Sequence, residues 1–139
     1  TAGGAAITLG GATGTTEVAN ATDIDSQNMG VKIVSGATSV IISQAKYEAA
    51  NTDETATGAA ISFKVSGDMT IGAHTTEVDD DTSNEEYTNS GAEIQYTIAS
   101  GLTAVVGVED YDYKIGTGAG AGTTADSGTV SRLTIKAAF

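Results

Sequence analysis

The chain has no cysteine, no proline and no tryptophan. Without cysteine it can form neither a disulfide frame nor a thiolate metal site. Without proline every residue keeps its backbone N–H, which suits a sheet that commits almost every N–H to a neighbouring strand. Aromatics are 5% of the chain and leucine occurs only at positions 9, 102 and 133, so a soluble core would rest on Ala, Val and Ile with two Phe. No run approaches the roughly 18 apolar residues of a membrane-spanning helix, so any crossing of a membrane falls to strands. Six basic residues face 18 acidic ones, a net charge of −12, which argues against nucleic acid as a partner because phosphate binding needs clustered Lys and Arg. His74 is the sole histidine, which excludes a multi-histidine metal site. No nucleophile motif surrounds it, and no enzymatic activity is expected.

What is present is alternation. Val34-Ser35-Gly36-Ala37-Thr38-Ser39-Val40, Val65-Ser66-Gly67-Asp68-Met69-Thr70-Ile71 and Ala99-Ser100-Gly101-Leu102-Thr103-Ala104-Val105 each place Ser-Gly between two strand-like runs. These predict tight hairpin turns near 35–36, 66–67 and 100–101, with glycine supplying the positive φ. The intervening polar, mostly acidic or Gly-rich segments predict long loops at 13–28, 49–57, 78–90 and 115–127. The 139 residues then form a single domain, an all-β antiparallel up-and-down meander of about eight strands. Short connections at one end and long ones at the other are the pattern of a transmembrane β-barrel. Thr1-Ala2-Gly3-Gly4 reads as a mature or trimmed end.

Period-two alternation sorts the side chains into two faces. Ile61, Phe63 and Val65 oppose Lys64, and Ala92, Ile94, Tyr96 and Ile98 oppose Glu93, Gln95 and Thr97. The same split predicts Lys32, Lys46, His74, Arg132 and Lys136 on the polar side, leaving Lys114 at a strand end. In a barrel that side lines a watery lumen, because Lys or Arg facing lipid costs about 2–4 kcal/mol at mid-membrane. The same alternation also describes a soluble antiparallel sheet with one face in water. Against this stand the weak core and the unequal connections.

Ala92-Glu93-Ile94-Gln95-Tyr96-Thr97-Ile98, continuing through the Ser100-Gly101 turn to Tyr111-Asp112-Tyr113, a Gly-rich loop and a strand ending on Phe139, resembles the C-terminal strands of bacterial general porins, particularly the alphaproteobacterial type. The resemblance runs from about Gly58 to Phe139. It implies a homotrimeric outer-membrane channel for passive diffusion of small hydrophilic solutes and ions, surrounded by lipid and lipopolysaccharide. Such barrels have about 16 strands, so this chain would be a C-terminal barrel half. The resemblance makes Lys32, Lys46, Lys64, Arg132 and Lys136 candidates for a basic pore wall, with His74 and Glu93 beside them. It makes Leu133, Ile135, Ala137 and Phe139 the terminal strand that the insertion machinery reads. Tyr111 and Tyr113 would belong to an aromatic girdle at the outer interface.

Within Glu77 to Glu86, Asp79, Asp81 and Glu85 are candidate oxygen ligands for Ca²⁺, which would bridge to lipopolysaccharide. The spacing is not that of an EF-hand, and a solvated acidic loop is the other reading. Gly116 to Gly122 lacks the Lys and helix of a phosphate loop and reads as a surface loop. Two further functions fit the composition. One is a complete eight-strand outer-membrane barrel acting as anchor or adhesin. The other is a secreted, self-assembling surface-layer, sheath or fibre subunit at the cell surface.

Overall fold

The computed structural model describes residues 4–18, 22–116 and 123–138. Its strands are β1 (Ala6–Thr16), β2 (Ile24–Ser35), β3 (Thr38–Ala49), β4 (Thr52–Lys64), β5 (Met69–Asp80), β6 (Glu85–Ala99), β7 (Leu102–Lys114) and β8 (Thr124–Ala137). Each pairs antiparallel with its neighbour in sequence, giving one eight-stranded sheet in the order β1 to β8. β1 and β8 do not pair with each other, so the sheet is an open meander with two edges. Thr, Val, Ile and Ala dominate the strands, and the absence of proline leaves every ladder position able to donate.

Two of the three expected turns form as the sequence suggests. Gly36 and Gly101 have φ of 58° and 76°, the left-handed values that a two-residue hairpin connection requires. At Gly101 the Ala138 N–H donates to the Gly101 carbonyl at 2.7 Å, and a side chain there would meet the Ala138 carbonyl oxygen. The third turn is built differently: Gly67 does not have positive φ among the glycines, and the connection runs over 65–68. The Ser66 hydroxyl accepts from the N–H groups of Asp68 and Met69, at 3.3 and 3.1 Å, so a side-chain oxygen closes this turn where glycine was expected to.

The long loops are shorter than their composition implies. The connections at that end cover 17–23, 50–51, 81–84 and 115–123, where 13–28, 49–57, 78–90 and 115–127 were expected. Pairing simply continues past the apolar segments: Thr52 to Thr57 zips against β3, and Glu85 to Ser90 against β5. Backbone hydrogen bonding does not require an apolar side chain, and threonine is a good strand former in any polarity. The 81–84 turn is tied by Asp80. Its carboxylate accepts from Thr82 N–H at 2.8 Å, Ser83 N–H at 3.3 Å and Ser83 Oγ at 2.9 Å, while Asn84 adopts φ of 57°.

Candidate functional site

The fold is a single layer. Among the described residues Val105 is the only buried hydrophobic side chain, and no second sheet or helix covers either face. The cross-strand register therefore decides what each face offers. A row of direct partners runs from Val34 through Ser39, Ser62, Gly72, Glu93 and Gly107 to Arg132. All residues in such a row share a face, as do those two positions away along each strand.

The polar face holds Lys32, Lys64, His74, Glu93, Arg132 and Lys136, as expected from alternation. It also holds Glu54, Glu109, Asp126 and four of the five tyrosines, which were not assigned there from sequence. Arg132 donates to Glu93 Oε2 at 3.0 Å and lies 3.3 Å from Glu109 Oε1. His74 Nε2 is 3.2 Å from Asn89 Oδ1. Glycines make room for these long side chains. A Cβ on Gly91 would stand 2.7 Å from Glu109 Cγ and 2.9 Å from His74 Cε1, so both side chains lie across that glycine. A hollow of about 200 Å³ on this face lies between Ser39, Ile41, Ala60, Ser62, His74 and Glu93.

The opposite face carries a bare apolar band toward the Gly36–Gly101 end. Leu9, Leu133, Ile135, Ile98, Ile61 and Ile94 are 50–77% exposed. Along β4 to β7 burial is the inverse of a soluble sheet: Ser62, Gly72, His74, Glu93 and Gly107 are shielded, while Ile61, Ile71, Ala92, Ile94 and Val106 are exposed. A hollow of about 820 Å³ opens over Ile61, Phe63, Ile71, Ile94, Val106 and Leu133. Leu133, Ile135 and Ala137 of the proposed insertion strand lie on this face against Val106, Ala104 and Leu102. Phe139 lies outside the described residues.

The apolar band is slanted across the sheet. The row through Val31, the midpoint of Met29–Ile33 on β2, passes through Ile42, Ala59, Thr75, Ser90 and Asp110 and reaches Thr129 on β8. The apolar midpoint on β8 is Ile135, six residues further along (135 − 129). Six residues rise about 20 Å and six strand spacings cover about 29 Å. The band is therefore inclined by about 35° to the perpendicular of the strands, the tilt found in barrels.

Three expectations fail. Lys46 lies on the apolar side of the sheet, in the row of Gln27, Thr55, Asp79, Glu86 and Lys114, beyond the end of the band. The run Val40-Ile41-Ile42 does not alternate, and the structure turns Val40 and Ile42 to the apolar side, which carries Gln44 and Lys46 with them. There Lys46 pairs with Glu48 and with Asp53 at 3.5 Å, and Lys114 pairs with Glu86. The Glu48 hydrogen bond, chiefly, raises the Lys46 pKa, and that to Glu86 raises Lys114. Asp79 and Glu85 stand on opposite faces, since Asp79 pairs with Glu86 and Asp80 with Glu85. The three proposed calcium ligands are thus not brought together, and no cluster suited to a metal occurs among the described residues. Tyr111 and Tyr113 turn to the polar face beside Tyr87, Glu109 and Asp126, so they do not form an outward girdle. Comparison with protein-family models, curated proteins and solved structures finds no match for this chain.

Proposed function

We infer that the chain is part of the wall of an outer-membrane porin, a water-filled β-barrel through which small hydrophilic solutes and ions diffuse passively. The observation that carries this reading is the inverted burial: a continuous band of Ile, Leu, Val and Ala faces outward with no protein over it, while Lys, Arg, Glu and His share the other side. An apolar surface of this extent far exceeds what soluble monomers expose. Lipid is the cover that also accounts for the slant, since a horizontal hydrocarbon slab cuts tilted strands obliquely. Strands of 11–15 residues meet or exceed the roughly 9–11 needed to span. Their polar ends extend beyond the band, and Lys46, Glu48, Glu86 and Lys114 form ion pairs there, at the level of headgroups. In this reading the open edges of β1 and β8 pair with further strands. These would come from the rest of a porin barrel, in a homotrimer among lipid and lipopolysaccharide.

The two open edges favour a second reading, a secreted subunit that polymerises through edge pairing. Extraction and reconstitution separate the two. A porin partitions with outer membranes, needs detergent, shifts mobility on heating and gives stepwise conductance in planar bilayers. Recovery as detergent-independent polymer without conductance overturns the porin reading.

A further inference from the structure

Charges on the polar face are separated along the strands. Lys64 and Glu54 share that face of β4 ten residues apart (64 − 54), and Lys136 and Asp126 repeat the spacing on β8 (136 − 126). In both strands the base lies toward the Gly36 and Gly101 turns and the acid toward the other end. Asp80 and Glu85 pair with each other, and Asp80 with Glu54, which extends the acidic level over three strands.

Lys32 joins the basic level. Its neighbours Val31 and Ile33, like Phe63 and Val65 around Lys64 and Ile135 and Ala137 around Lys136, belong to the apolar band. Measured from the band midpoints Val31, Ser62 and Ile135, the three lysines stand one, two and one residue toward the Gly36–Gly101 end (32 − 31, 64 − 62, 136 − 135). They come from register rows far apart, yet share a height once the slant is taken into account. Among the described residues none of the three has an ion-pair partner, whereas Arg132, between the levels, is held by Glu93 and Glu109.

Ten residues of strand cover about 34 Å, or about 28 Å along a pore inclined at about 35°. That is nearly three Debye lengths at 0.1 M salt, where the screening length is about 10 Å. Each level therefore governs the ions in its own stretch of lumen. Resting on the porin reading, we propose that this lumen is bipolar and rectifies ionic current, with anions gathered at the Lys32–Lys64–Lys136 level and cations at the Glu54–Asp80–Glu85–Asp126 level. When the compartment at the acidic end is positive, cations are driven in through the acidic zone and anions through the basic zone. Both zones fill and current is high. The opposite polarity empties the region between them. Each ammonium group concentrates an anion passing about 7 Å away by about 1.6-fold at 0.1 M salt.

The test uses the full-length protein in planar bilayers, added from one side, in 0.1 M and 1 M KCl. Current ratios of about two to four between +100 and −100 mV are expected at 0.1 M, falling to near one at 1 M, where the screening length is about 3 Å. The combined Lys32→Gln, Lys64→Gln and Lys136→Gln variant is expected to lose rectification, and Arg at the same positions to retain it. If the triple variant fails to insert, as judged by heat-modifiable mobility, Lys64→Gln alone carries the test with a partial loss. Symmetric currents in wild-type channels at 0.1 M, or rectification that survives glutamine substitution, overturn the bipolar lumen and leave the porin reading standing. Inserted protein that conducts nothing overturns both.

Discussion

Ile94→Arg tests where the apolar face resides. Ile94 lies one residue from the midpoint of the Ala92–Ile98 run on β6 and is 50% exposed in the isolated sheet. If hydrocarbon covers that face, the substitution forfeits about 1.5–3 kcal/mol of isoleucine burial. It adds about 2–4 kcal/mol for arginine near mid-membrane. The sum, about 3.5–7 kcal/mol, corresponds to a loss of about two and a half to five orders of magnitude in the insertion equilibrium. Two neighbours set the scale. Gln95→Arg changes the polar face at the same depth and is expected to cost within about 0.5 kcal/mol. Ser90→Arg keeps the outward face but lies four residues beyond Ile94, past the band, where about 0–1 kcal/mol is expected. The assay is urea-dependent folding into lipid vesicles, with the inserted fraction read from heat-modifiable mobility. Equal tolerance of Ile94→Arg and Gln95→Arg would refute the assignment of that face to lipid.

Two other perturbations probe the sheet itself. Gly91→Val places a Cβ 2.9 Å from the Val108 carbonyl oxygen, a backbone atom, as well as against Glu109 and His74, and overpacking of this kind costs about 1–3 kcal/mol. Gly10→Ala, with nothing within 4 Å of its new Cβ, is the matched control, and denaturant midpoints in detergent compare them. At the acidic end, outside the apolar band, Asp80 has its pKa held below its usual 3.8, chiefly by the Thr82 N–H and then by Ser83. Its ionised form is favoured by folding, so its contribution is complete above the unfolded value and is lost as pH falls through the lower folded value. Amide exchange at Thr82 and Ser83, corrected for intrinsic rate, is expected to quicken over that acidic range in wild type. In Asp80→Asn that pH-dependent change is expected to disappear.

Some of this was readable from residue order because it depends on neighbours in the chain. Alternation around Lys64, Glu93 and Lys136 assigns their faces, since each is flanked by residues of clear opposite character. Gly36 and Gly101 announce their turns because glycine accepts those φ values at no steric cost. Composition misled where it was taken for conformation: the acidic stretches around Asp53 and Glu86 are strand, because ladder hydrogen bonds ignore side-chain polarity.

The residue order by itself determined an antiparallel meander with an apolar band on one face and polar residues opposite it, since period-two patterning and the absence of proline are local properties. Register between strands, which is tertiary, decided the rest. It moved Lys46 to the apolar side, split Asp79 from Glu85, and brought Glu109 to Arg132. It also slanted the apolar band, so that lysines on β2, β4 and β8 stand at one height although nothing in their sequence spacing places them together.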